Sequence, residues 1–425
     1  MLTTLCQAIF AAISGPPSTP PMRILLLGIA AIPFIYYLIA LFSALRFFLT
    51  EKLHQNREFL PPISNIKPVF GLDPGAYENF ASFCRQDYPE YEVVFCIGDT
   101  EDPAYPVLLQ LERDFPKTNI RIIVGSGRIA ANDKVAKLAR LTDEAAYEHL
   151  VISDSDVRVE PNYLRRLVAP MADDKVGAVT CFYVPTEEGS FVQRLQDVGM
   201  LSDFYPGILV ARQLDGVKFA LGPTICTTKT NLRQWGGYAS IENQPGDDLL
   251  VGRSIAEQGH EVVLLPYAIS TVPDFQSMRD LFMKRLRWLT VMRHMRPAGH
   301  IGLIFTLGLP WALIAIAAWP TLPVLMGYAG GYIVLRSLLT LAVGAQGLKQ
   351  RSVWANLPLI PVWDALATCI WLVSFTRRSI RWRGFDYRIV DGQLVPVNPE
   401  EVQRVLEARA AKAKAMPVES ASREY

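Results

Sequence analysis

The sequence predicts an α/β domain with a mainly parallel, Rossmann-like sheet, joined to transmembrane helices. Three observations predict it. Long apolar runs flank the middle of the chain on both sides. Short β-rich runs alternate with helical patterns through residues 58 to 275. Acidic residues recur directly after the hydrophobic strands.

The 425 residues are 50% hydrophobic and 20% charged. A charged share nearer a quarter is usual for soluble proteins, so the balance leans toward the membrane. A net charge of +1 argues against a nucleic-acid partner, which needs a broad basic face. The six cysteines, Cys6, Cys84, Cys96, Cys181, Cys226 and Cys369, form no C-x-x-C pair and adjoin no histidine. That pattern fits neither a zinc site nor a disulfide framework and suits a reducing compartment.

Ile24 to Leu45 carries no charge, and about 20 apolar residues span a bilayer as a helix. Arg46, Lys52, His54 and Arg57 follow this run and only Arg23 precedes it. Positive residues stay cytoplasmic, so the next domain is expected there. Leu2 to Ile13 is too short to span. Ile301 to Leu335 is uncharged and too long for one crossing; Trp319-Pro320-Thr321-Leu322-Pro323 breaks it into two spans. Arg336 lies in the second of these, where a charge must face other helices or a partner. Leu357 to Phe375 is a further apolar run and contains Asp364. If it spans, the basic residues Arg377, Arg378, Arg381 and Arg383 land outside, against the charge rule. The expected division is therefore 1–57 with one span, 58–276 as the α/β domain, and 277–297 as an amphipathic interfacial helix. Membrane helices follow over 298–376 (about 301–319, 323–345 and 357–375), then a basic tail over 377–425.

In the middle region, strands are expected at Asn65–Phe70, Glu92–Ile97, Ile120–Val124, His149–Ser153, Gly177–Phe182 and Glu261–Leu265. Helices are expected at Ala76–Arg85, Pro103–Asp114, Asp133–Leu141, Pro161–Leu167 and Asp247–Gln258. Alternation of this kind builds βαβ units. Ligands of such sheets bind beyond the carboxyl ends of the strands. The tail from about Val397 reads as a short helix followed by disorder.

Asp99 stands just past Val94–Ile97, where a carboxylate can accept hydrogen bonds from a uracil or ribose, or simply cap the next helix. Asp154-Ser155-Asp156 follows Leu150–Ser153. Two carboxylates at i and i+2 leaving a strand can hold a divalent cation such as Mg²⁺ or close a turn. Asp247-Asp248 opens a helix after Gly246. One of such a pair can serve as general base, because crowded like charges raise a carboxylate pKa; both can also act as caps. Lys134 follows a Gly-Ser-Gly turn and can reach a donor phosphate as a point charge or stay exposed. Lys284-Arg285-Leu286-Arg287-Trp288 lies in Met278–Met295, with Leu281, Phe282, Trp288, Leu289, Met292 and Met295 near one face. This is a basic amphipathic helix suited to a headgroup layer.

The order of these signals resembles the inverting, processive-type or lipid-directed glycosyltransferases of the GT-A fold. Within that group the chain is similar to the ceramide glucosyltransferase family. The likeness is carried by Lys67-Pro68-Val69-Phe70-Gly71-Leu72-Asp73-Pro74, Gln86–Val93, Asp154–Val159 and Gly246-Asp247-Asp248, and runs from about Pro61 to Met295. A bacterial branch that glycosylates hopanoid lipids is similar over the same stretch. The resemblance implies that Asp99 binds the uridine, that Asp154 and Asp156 hold Mg²⁺ or Mn²⁺ and the diphosphate, and that Lys134 lies near the donor. It implies Asp248 as general base beside Asp247, with Arg287 and Trp288 closing over donor diphosphate and acceptor. Lys284 departs from the family's Gln or Arg, keeping charge but losing planar geometry. Gly246-Asp247-Asp248 departs from the more usual Glu-Asp.

The expected reaction is a single displacement from a UDP-sugar onto a lipid hydroxyl, glucose onto ceramide by the resemblance. N-acetylglucosamine onto a hopanoid is the close alternative. A processive polysaccharide synthase and a non-catalytic nucleotide-binding scaffold are the rivals. The expected setting is a multi-pass protein of a bacterial inner membrane with its catalytic domain in the cytoplasm.

Overall fold

The structure is a computed structural model and describes residues 20–51, 58–128, 130–186, 189–272, 277–382 and 385–414. The run Leu2–Ile13, the basic residues Lys52, His54, Arg57 and Arg383, and the tail past 414 lie outside these. The described residues fall into two compact units, an α/β unit (58–186, 217–272 and 378–414) and a helical unit (20–51, 189–216 and 277–377).

The α/β unit is built on eight strands: β1 (Ile63–Pro68), β2 (Tyr91–Ile97), β3 (Asn119–Val124), β4 (His149–Ser153), β5 (Val157–Arg158), β6 (Val176–Pro185), β7 (Thr224–Thr228) and β8 (Glu261–Thr271). Their order is β3-β2-β1-β4-β7-β6-β8-β5. The β3-β2-β1-β4 half is parallel throughout, whereas β7 runs antiparallel to both β4 and β6. The period-2 alternation of strand side chains divides the core between the two faces. Val93, Phe95 and Ile97 of β2 pack with Phe80, Phe83, Leu108 and Tyr163 on one face. Val94 and Cys96 pack with Leu138, Ile152, Val251 and Ile255 on the other. Burial on both faces is what a parallel sheet requires. Strand β1 is fully buried despite its sequence Ile-Ser-Asn-Ile-Lys-Pro. Ser64 is accommodated by donating to Glu92 Oε1 at 2.6 Å. Cys84, Cys96, Cys181 and Cys226 are buried free thiols.

Strands of this unit go beyond the sequence expectation. Strands β5 and β7 were not anticipated, and the tail contains a second sheet, β11-β10-β9, of β9 (Ser379–Trp382), β10 (Phe385–Val390) and β11 (Gln393–Pro396). Asp391 and Gly392 join β10 to β11 with φ of 49° and 77°. Two left-handed residues match the twist of a tight hairpin, and Asp-Gly supplies them at low steric cost. The helix Pro399–Lys414 follows.

The helical unit has three helices long and apolar enough to cross a membrane among the described residues: Pro20–Thr50, Leu322–Gly347 and Val353–Ser374. A fourth candidate, Pro297–Phe305 with Gly308–Ala318, is bent by 47° at its break. Ile24, Leu25, Ile35, Leu38, Phe42 and Leu49 of the first helix expose more than half their surface. Such continuous apolar exposure suits lipid rather than water. Arg336 and Asp364 face inward at 3% and 1% exposure and pair with each other. Asp364 also accepts from Tyr332 Oη at 2.8 Å, and Arg336 donates to the Ser202 carbonyl. The two charges that interrupt the apolar runs thus satisfy one another. The helix Met278–Met295 buries Leu281, Arg285, Leu286 and Thr290. Met292, expected on its apolar face, is exposed. The buried guanidinium is Arg285, which donates to Gln196 Oε1 at 2.9 Å and lies 4.8 Å from the rings of Trp288 and Trp363.

Candidate active site

The carboxyl ends of β2, β1 and β4 lie side by side, because β1 pairs in parallel with both of its neighbours. Asp99 leaves β2, Lys67 closes β1, and Asp154 leaves β4. With strands about 4.8 Å apart, the loops after β2 and β4 begin roughly 10 Å from each other.

Asp154 is held by contacts on several sides. Beneath it, Lys67 Nζ donates to the Asp154 carbonyl at 2.8 Å and to Ser153 Oγ at 3.1 Å. The Lys67 ammonium is fully buried and stands 3.5 Å from the Phe83 ring centroid. Burial pushes its pKa down to about 7, against the opposing pull of Asp154 and Asp156. Beside it, Ser155 Oγ donates to Asp73 Oδ2 at 2.5 Å. The Asp156 carbonyl accepts from the Val272 N–H at 2.9 Å, tying the turn to the end of β8.

Lys134 joins the acidic loops. Asn132 caps the helix Asp133–Glu144 by accepting from the Val135 N–H, which fixes Lys134 one residue into the first turn. From there Lys134 Nζ reaches Asp154 Oδ1 at 2.8 Å and Asp247 Oδ2 at 3.2 Å. Burial alone would lower its pKa, but the carboxylates of Asp154 and Asp247 outweigh that and hold it protonated.

Asp248 is the next residue. Its Oδ2 accepts from the Gly222 N–H at 3.2 Å and its Oδ1 from the Leu249 N–H at 2.8 Å. A Cβ at Gly222 would stand 3.2 Å from Oδ2, a tight contact that would press on the carboxylate. Burial first, then the Asp247 carboxylate, push the Asp248 pKa up to about 6, while Lys134 opposes them. Tyr238 Oη is buried with no hydrogen-bond partner in the same neighbourhood. Burial and Asp247 hold its hydroxyl protonated.

Of the residues singled out from sequence, Asp154, Asp247 and Lys134 are therefore in direct contact, with Asp248 adjoining. Asp99 makes a local turn, its Oδ1 accepting from the Glu101 N–H at 2.9 Å. Lys284, Arg287 and Trp288 lie in the helical unit, with Lys284 Nζ 5.9 Å from the Trp288 ring and Phe204 packed 6.1 Å from it. The reading from sequence gave no role to Lys67, Asn132 or Gly222. A lysine in an otherwise buried strand was the available signal for the first.

The donor chemistry at Asp154 and Asp156 fits a hard cation such as Mg²⁺ or Mn²⁺, which takes carboxylate oxygens. Among the described residues no group of three or more His, Cys, Asp or Glu side chains is arranged as a metal cage.

A mostly parallel sheet whose carboxyl edge gathers these acids is the framework of a GT-A glycosyltransferase. The mannosyltransferase PcManGT of Pyrobaculum calidifontis, solved with GDP-Man and Mn²⁺, shares the fold. Its TM-score is 0.55 at 18% identity, over 82% of this chain and 98% of that one. Residues 25–395 match Glycosyl transferase family 21, and the chain belongs to that family. It is similar to ceramide glucosyltransferase 3 of Caenorhabditis elegans, 23% identical over 79% of this chain and 75% of the relative. Ceramide glucosyltransferase 1 of the same animal is 26% identical over 59% of this chain and 54% of the relative. The enzyme of Gibberella zeae is 32% identical over 37% of this chain and 30% of its own. The protein is thus a hexosyltransferase of the ceramide glucosyltransferase family.

Proposed function

We propose that the protein transfers one sugar, glucose, from a UDP-sugar to the hydroxyl of a membrane lipid such as ceramide, inverting the anomeric centre. The observation that carries this reading is Asp248, a carboxylate with its pKa pushed up to about 6 beside the Lys134–Asp154–Asp247 cluster. A base with a pKa near the working pH is efficient in proton transfer. Asp248 takes the proton of the lipid hydroxyl, whose oxygen bonds to the anomeric carbon as the bond to UDP breaks. Attack from the far side turns an α-linked donor into a β-glycoside. Asp154 and Asp156 would hold Mg²⁺ or Mn²⁺, whose charge offsets that of the departing diphosphate. Lys134 fixes Asp154 against Asp247. Asp99 receives the uridine. Lys284, Arg287 and Trp288 of the helical unit are the residues that the family resemblance offers to the diphosphate and the acceptor.

A lipid acceptor accords with the exposed apolar helices and with the names of the relatives. The tail supports a definite topology. Residues 378–414 belong to the same compact unit as the α/β core, so the stretch 277–377 leaves and rejoins one side of the membrane. An even number of crossings follows. Leu322–Gly347 and Val353–Ser374 supply two, and the bent pair Pro297–Ala318 does not cross. Arg377, Arg378 and Arg381 then stay with the catalytic domain on the cytoplasmic side, as the charge rule asks.

The test is transfer by the purified protein in vesicles that contain ceramide, with labelled UDP-glucose and Mn²⁺. A single-sugar lipid with a β linkage by NMR is expected, and EDTA is expected to stop its formation. Polymer, or an α linkage, would overturn the reading; transfer only to a hopanoid would replace the acceptor.

A further inference from the structure

The loop Glu242–Gly246, which delivers Asp247 and Asp248, is held almost entirely from outside itself. Three consecutive carbonyls of the loop receive their donors from distant parts of the chain. Glu242 O accepts from the Asn132 N–H at 3.0 Å, and Asn243 O accepts from the Leu394 N–H at 2.7 Å. Gln244 O accepts from Asn132 Nδ2 at 3.1 Å. In addition, Asn243 Oδ1 accepts from the Ala131 N–H at 2.9 Å.

Two of these donors belong to Asn132, whose Oδ1 also caps the helix that carries Lys134. The third comes from β11. In the hairpin, Val390 pairs with Gln393, Ile389 with Leu394 and Arg388 with Val395. Antiparallel pairs alternate between bonded and non-bonded. Leu394 falls on a non-bonded pair, so its N–H points away from β10. Strand β11 is the edge of its sheet, and an edge leaves such groups open for another segment. Here the segment is the loop in front of the catalytic carboxylates.

We propose that Leu394 and Asn132 are positioning residues for the transfer reaction, and that the C-terminal sheet serves to hold the Asp247–Asp248 loop in register with Lys134 and Asp154. The proposal rests on the reading of Asp248 as the base. It explains why a small sheet following the last membrane helix belongs to the catalytic unit.

Leu394→Pro removes the one N–H without touching the hairpin ladder, and an edge position tolerates proline. Leu394→Ala keeps the N–H and loses the buried side chain. The expected result for Leu394→Pro is a kcat at least tenfold lower, with KM for UDP-glucose within about twofold. Amide exchange of the segment 241–250 is expected to be at least tenfold faster, with β4 unchanged. Leu394→Ala is expected to stay within about threefold of the parent kcat. If Leu394→Pro does not fold, Asn132→Ser decides: serine keeps the helix cap but loses the donor to Gln244, and the same kcat loss and faster exchange are expected. Parent-like kcat in the folded variants, or equal losses in Leu394→Pro and Leu394→Ala, would overturn the proposal. Asp248→Asn is measured alongside. If it retains full transfer, the base assignment fails; if it is inactive while Leu394→Pro is unimpaired, only the role of the sheet fails.

Discussion

At the scale of single residues, the site is a balance of charges around Lys134. Asp248 is raised by burial and by Asp247 and lowered by Lys134. As a base it must be deprotonated, so kcat is expected to fall as pH drops through about 6. Lys134→Ala removes the lowering charge. The acid limb of the kcat profile should then move upward by roughly one unit, while Lys134→Arg should leave it in place. A limb that stays put or moves down in Lys134→Ala would separate Lys134 from Asp248. Asp154, Asp247, Asp248 and Lys134 were all legible in the sequence, because each follows a strand or opens a helix. Lys67 and Asn132 were not. Their roles depend on which carbonyls lie across the sheet edge, and no local pattern reports that.

At the scale of elements, the buried pair Arg336–Asp364 joins two membrane helices. Removing one partner strands a charge at membrane depth, which costs about 3–5 kcal/mol. Arg336→Leu should therefore unfold at lower denaturant in detergent, and Arg336→Leu combined with Asp364→Leu should recover most of the loss. A double variant as unstable as the single one would show that the pair matters through packing alone. Strands β2, β3 and β4 of the parallel half were readable from their hydrophobic runs. Strand β7, Thr-Ile-Cys-Thr-Thr, was not, because its polar residues are satisfied by contacts such as Thr227 Oγ1 to the Gly177 carbonyl at 2.7 Å. The C-terminal hairpin carried a clear signal in Asp391-Gly392 between alternating apolar residues. It lay hidden in a stretch whose composition reads as a basic tail.

At the scale of the whole molecule, the proposed topology, with tail and α/β core in one unit, predicts an even number of crossings over 277–377. In a background without Cys6 and Cys369, Arg351→Cys lies between the last two spans and should react with an impermeant maleimide from outside intact cells. Ser379→Cys should react only after permeabilisation. Reaction of Ser379→Cys from outside intact cells would break the even count.

The hydrogen bond from Leu394 to Asn243 also orders events during synthesis. About 150 residues separate the two positions, so at about 5–20 residues per second the loop waits roughly 8–30 seconds for its donor. Every candidate membrane helix among the described residues is translated in that interval or before it. The nascent polypeptide thus gains the last hydrogen bond of this loop only after its candidate membrane helices have been made.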